Sequence, residues 1–268
     1  MDDLNPASSH DPTSTRIRLP SPGVLFVVTL LVIVGSIGCW FGCRVHRQQE
    51  RLRFLEELGA NVGTTPAGPV WLHDLVASTL GEERAVGLTD VTRISLEYSQ
   101  VTDRDLQAIR GFSQLDTLIL DHTNVSDAGL RHLSGLHNLH TLSLIDTQVS
   151  DAGLQSLGDL KNLRRLDLCV TPVTDDGLQH LSGLHNLEFL YLDHTHVANA
   201  GLRHLSGLTN LRELSLRATD VNDSGLEHVN GLTNLQWLAT EDSGVTYAGA
   251  ERFESQLSGV RVSSGPWD

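Results

Sequence analysis

Apolar residues recur along this chain every 24 residues, and inside each period they follow two different spacings. Counting from Val101, Val125, Val149, Val173, Val197 and Val221, position 6 is Leu in every unit, position 9 is Ile, Leu or Val, and position 12 is Phe or Leu. Steps of three suit one face of a short helix. Positions 15 and 18 are always Leu, and position 20 is Leu until Thr240. The step of two from 18 to 20 suits a short strand with one face inward. Ser or Thr at position 2, usually followed by Asp, predicts a helix N-cap with a carboxylate in the first turn. Gly at position 11 and Asn at position 14 supply the turn back to the strand.

One unit alone buries too little apolar surface to offset the entropy of ordering its backbone. Stacking removes that shortfall, because each unit then buries its leucines against its neighbours. The pattern therefore predicts an α/β solenoid, with a parallel strand ladder on the concave side and short helices on the convex side. Strands should be spaced by about 4.8 Å. Six full units occupy 101–244, and a truncated seventh begins at Val245. There Phe253 takes position 9, Val260 and Val262 alternate like an edge strand, and 245–268 reads as a C-terminal cap. Val91, Ile94, Leu96 and Ser99 match positions 15, 18, 20 and 23, a half unit within 71–100. Trp71, Leu72, Leu75, Val76 and Leu80 share a helical face and predict an N-terminal cap over 71–80.

The repeated run L-x-x-L-x-L-x-x-T-x-V-[ST]-D-x-G-L resembles the leucine-rich repeat, with Thr where Asn or Cys is usual. It is similar to the ribonuclease-inhibitor-like subclass, including the repeats of F-box proteins, and to bacterial single-pass membrane-anchored leucine-rich-repeat proteins of unassigned function. The resemblance covers about 86–262. It implies the solenoid fold and a binding role of some kind, because this fold hosts many binding functions. Nothing before residue 86 resembles an F-box.

The N-terminal part is organised differently. Residues 1–23 are rich in Pro, Ser, Thr and Asp and read as a disordered tail. Residues 24–43 hold no charge, and that length suits a bilayer-spanning helix. Arg44, Arg47, Arg51 and Arg53 follow it, against Arg16 and Arg18 before it. That asymmetry leans towards repeats facing the cytoplasm. Gly38 and Gly42 form a GxxxG pair that would let two spans pack closely as a homodimer. Within 44–70, residues 44–60 predict a juxtamembrane helix ended by Gly59, and 61–70, with Gly63, Pro66, Gly68 and Pro69, a linker.

Charge narrows the partners. The chain carries 19 Lys and Arg against 33 Asp and Glu, for a net charge of −14. Residues 1–63 are neutral, so the whole excess lies in 64–268. An acidic domain repels nucleic acid and anionic lipid. Three cysteines, two of them within 24–43, form no disulfide framework.

Positions 17, 19 and 21 should face away from the core, and these columns vary where the inward ones do not. They bring together Phe189, Tyr191 and Trp237 with Arg165, Asp193, Glu213 and Arg217. Aromatic and Arg side chains are what interface centres favour. His132, His180, His204 and His228 share position 8 on the outer helices, and read as a solvated face rather than a metal site. No GxSxG, P-loop, HExxH or CxxC is present, and no cofactor is expected. The sequence thus points to a non-enzymatic, membrane-anchored scaffold that binds a protein partner. A substrate adaptor for protein turnover and a structural envelope protein are the alternatives.

Overall fold

The computed structural model describes residues 45–66, 77–78 and 89–264. The expected span over 24–43, with Gly38 and Gly42, lies outside them, as do the 1–23 tail and most of the 71–80 cap. Among the described residues no helix is long and apolar enough to cross a membrane.

Among the described residues nine strands form one sheet in chain order: β1 (Asn61–Pro66), β2 (Thr89–Ser95), β3 (Thr117–Ile119), β4 (Thr141–Ser143), β5 (Arg165–Asp167), β6 (Phe189–Tyr191), β7 (Glu213–Ser215), β8 (Trp237–Ala239) and β9 (Arg261–Ser263). From β2 onwards the pairing is parallel, and each position faces its equivalent one period on, as in Leu166↔Leu190↔Leu214. Leu118, Leu142, Leu166, Leu190, Leu214 and Leu238 are fully buried. This column fixes the register, since a slip of one residue would turn every Leu outward. Truncating any one of them to Ala should cost about 2–5 kcal/mol.

The units starting at Val149, Val173, Val197 and Val221 cross back through a single α-helical turn, such as Asp151–Leu154, followed by a 3-10 turn, such as Gln155–Leu157. The three-residue spacing of positions 6, 9 and 12 fits this tight winding. Position 2 is the N-cap, and the side chains of Ser126, Thr174 and Asn222 accept from a backbone N–H in the first turn. After the last full unit a longer helix, Tyr247–Gln256, buries Phe253 and leads into β9.

The N-terminal end differs from the linker predicted for 61–70. Residues 61–66 form β1, antiparallel to β2, with Val62 opposite Ile94. The first rung would otherwise leave its backbone N–H and C=O groups unpaired, and β1 covers them. Pro66 does not prevent this, because an edge strand tolerates Pro. Gly63, read as a breaker, sits where a Cβ would lie 3.0 Å from Arg93 Cβ. The preceding helix, over 45–57, belongs to the fold itself. Its Leu52 and Leu55 enter the core, and Gln48 Nε2 donates to the Thr89 carbonyl at 2.6 Å. The Arg51 guanidinium fills the space a Cβ on Gly111 would occupy.

Candidate functional site

Positions 17 and 19 of the three-residue strands project away from the leucine column. β5 to β8 place Arg165, Phe189, Glu213 and Trp237 in one row, and Asp167, Tyr191, Ser215 and Ala239 in the next. Arg165, Phe189 and Tyr191 form one group. The guanidinium carbon lies 4.5 Å from the Tyr191 ring centroid and 5.9 Å from that of Phe189. Arg165 Nη1 also donates to Tyr191 Oη at 3.0 Å. The Tyr191 hydroxyl in turn donates to Glu213 Oε2. Burial, and then the bond to Glu213, push the Tyr191 hydroxyl up to about 12, with Arg165 acting in the opposite sense. Tyr191 is therefore a neutral donor at physiological pH.

A cavity of about 290 Å³ opens over β7. Tyr191 and Asp193 line one side, Trp237 and Ala239 the other, with Leu214 and Ser215 between them and Glu213 and Arg217 completing the lining. The gap exists because Ser215 and Ala239 are small; larger side chains there would fill it. Asp193 Oδ1 accepts from the Ser215 hydroxyl and from the Arg217 backbone N–H at 3.0 Å. Arg217 Nε donates to Glu241 Oε2 at 2.8 Å, and the Ser263 hydroxyl donates to the other Glu241 oxygen. Burial works to raise the Glu241 carboxyl, but Ser263, its own backbone N–H and Arg217 together hold it below the usual carboxylate range.

All seven residues singled out from the sequence thus lie on four adjacent rungs, and five of them line the cavity. The outward columns are not uniformly exposed: Asp167, Ser215 and Glu241 are buried among their neighbours. Burial raises the Asp167 carboxyl, which accepts from the Cys169 backbone N–H at 3.1 Å. Burial and the nearby Asp167 push the Cys169 thiol far up, so it stays protonated and unreactive.

Sequence reasoning missed two features. Glu241, at position 21 of the last full unit, holds Arg217 and is not among the residues singled out from the sequence. Position 16 is not among the columns singled out from the sequence, yet Glu188 bridges Arg164 at 3.1 Å and Arg212 at 3.3 Å. These three line a second, polar cavity of about 420 Å³ with Asn186, Asn210, Asn234 and Gln236. The alternation of charge along position 16 was the available signal. Among the described residues, no group of three or more His, Cys, Asp or Glu is arranged to hold a metal ion.

No protein-family model matches the chain, and no curated protein does. Solved structures do. Internalin C2 from Listeria monocytogenes is similar over 72% of this chain and 92% of its own, at 21% identity and a TM-score of 0.53. The leucine-rich-repeat protein LIC12759 from Leptospira interrogans matches 58% of this chain and 38% of its own, at 20% identity and a TM-score of 0.48. The chain therefore has the fold of a leucine-rich-repeat solenoid.

Proposed function

We propose that this protein is a membrane-anchored scaffold that binds a protein partner on its concave face, the strand-ladder side, at β5 to β8. The observation that carries this reading is the cavity between Tyr191 and Trp237. It joins aromatic walls to fixed hydrogen-bonding groups on a rigid sheet. Trp237 is 37% exposed, so a large ring is presented to solvent on this face. Parallel rungs already hold these side chains in place, so binding loses little ordering entropy.

Anchoring rests on the uncharged run 24–43, and the excess of arginines after it over those before it supports an orientation that leans towards repeats facing the cytoplasm. Gly38 and Gly42 then offer a close-packing face for a second span. Retention of the full chain in membranes after alkaline extraction tests the anchor, and release would remove it from the proposal. For the binding face, a photo-crosslinking amino acid replaces Trp237 in the full chain, in its own cells. The expected result is a discrete crosslinked species, absent when the probe replaces Arg203 on the helical side. The same species from both positions, or none from position 237, would overturn the assignment of this face.

A further inference from the structure

We infer that the cavity over β7 takes an arginine side chain of the protein partner. This deepens the binding reading above and rests on it. Two carboxylates reach the cavity, and each has used only one oxygen. Glu213 Oε2 accepts from the Tyr191 hydroxyl, and Asp193 Oδ1 accepts from Ser215 and from the Arg217 N–H. Glu213 Oε1 and Asp193 Oδ2 have no hydrogen-bond partner among the described residues. A ligand group that satisfies both must carry at least two donors, and a cation does so with charge assistance.

The cavity's own cation does not compete for this role. Arg217 is engaged by Glu241, whose carboxyl is buried and stays ionised. An acidic ligand group would therefore meet Asp193 and Glu213 before any free positive charge. The walls make the same selection. Arg165 already lies over the Tyr191 ring at 4.5 Å, and Trp237, exposed at the opposite wall, offers a second ring on which a planar guanidinium stacks while its fork of N–H groups reaches carboxylates. An ammonium lacks that flat face. The volume of about 290 Å³ accommodates one long side chain rather than a folded element. At longer range, the acidic excess of 64–268 draws basic segments towards this domain.

The test uses the full chain in detergent micelles, with 5-fluorotryptophan incorporated and the Trp237 resonance assigned by its loss in Trp237→Phe. The probes are a glycine–serine heptapeptide with one central arginine and the same peptide with citrulline, which keeps the shape and removes the charge. At 150 mM salt, the arginine peptide should shift the Trp237 signal saturably, and the citrulline peptide should bind at least tenfold more weakly. Glu213→Gln should lose tenfold or more for the arginine peptide, with an unchanged melting temperature as evidence of an intact fold. Equal binding of both peptides, no saturable shift, or an unchanged affinity in Glu213→Gln would overturn the inference. A crosslinked partner at position 237 with no arginine preference would leave the binding face standing and remove only its specificity.

Discussion

Asp127 holds Ser150, 23 residues further along the chain, by two hydrogen bonds: Oδ1 accepts from the backbone N–H at 2.7 Å and Oδ2 from the hydroxyl at 2.6 Å. The same clasp joins Asp103 to Ser126, Asp151 to Thr174 and Asp223 to Thr246. Each carboxylate ties the start of one coil to the start of the next. Charge-assisted bonds of this kind are stronger than neutral ones, and their loss would strand a half-buried N–H. Asp127→Ala should therefore destabilise the full chain by about 2–3 kcal/mol in chemical denaturation. A loss below ~0.5 kcal/mol would show that solvent replaces the clasp.

One link in this series is incomplete. Ala198 stands where the other coils have a hydroxyl or amide, so Asp175 receives only the backbone N–H, at 2.7 Å. Ala198 has φ −123 and ψ −172, close to the −116 and −171 of Ser150. Ala198→Ser needs no backbone change to donate to the second Asp175 oxygen. The expected gain is about 1 kcal/mol, a rise in melting temperature of ~2–4 °C for a domain of this size. An unchanged melting temperature would mean that water already satisfies that oxygen.

Gly153 reverses the usual helical preference. In an exposed helical turn, Gly to Ala stabilises by roughly 0.5–1 kcal/mol. Here a Cβ would overlap Asp127 Oδ1 and lie 3.2 Å from Asp127 Cα, which is backbone and cannot swing away. Gly153→Ala should therefore destabilise. The Asp127→Ala/Gly153→Ala double variant should lose less than the sum of the two single losses, because removing the carboxylate clears part of the space. Additive losses in a double-mutant cycle would separate the glycine from the clasp.

These two devices show where the sequence was legible and where it was not. The leucines at positions 18 and 20 placed strands and register correctly, because alternation has one physical meaning once one face is buried. Asp127 was read as a carboxylate favouring its own helix N-terminus. That local reason was sufficient, and the true partner becomes visible only when the coils stack. Asn162 was likewise assigned to its own turn, yet its side-chain amide donates to the His137 carbonyl of the preceding coil at 2.7 Å. Residues 61–66 were read as a linker from Gly63 and Pro66, which are breakers in a central strand but acceptable at an edge. At the candidate site, counting aromatic and charged residues found the walls. It could not find the cavity, which depends on the small side chains of Ser215 and Ala239.

Asp167 gives a pH signature. Burial raises its folded-state carboxyl above the usual value, so the folded protein favours the protonated form. Stability tied to this group is greatest below the unfolded-state value and is lost as pH rises through the folded one. Asp167→Asn keeps an acceptor for the Cys169 N–H and removes the ionisation. The variant should be more stable than the parent at pH 7, and the difference should disappear below about pH 3.8. Denaturation curves at both pH values check this. A constant difference would assign the effect to packing instead.

Val170 carries backbone strain that a substitution can release. The residue after position 21 of every coil is left-handed, and none is Gly: Tyr98, His122, Asp146, Val170, His194, Ala218 and Asp242 have φ between 50 and 57. The ladder imposes this, since the Val170 N–H donates to the Asp193 carbonyl at 2.8 Å and the Thr171 hydroxyl to the Leu168 carbonyl at 2.6 Å. A left-handed residue costs roughly 1–2 kcal/mol, and a β-branched one meets the worst clash. Asn tolerates this region best among non-glycine residues, and Val170 is 45% exposed, so little packing is lost. Val170→Asn should stabilise the chain by about 1 kcal/mol, and the mirror change Ala218→Val should destabilise it by a similar amount. Opposite signs at the two positions would tie the effect to backbone strain. A loss at both would mean that Val170 contributes more through packing than it costs in conformation.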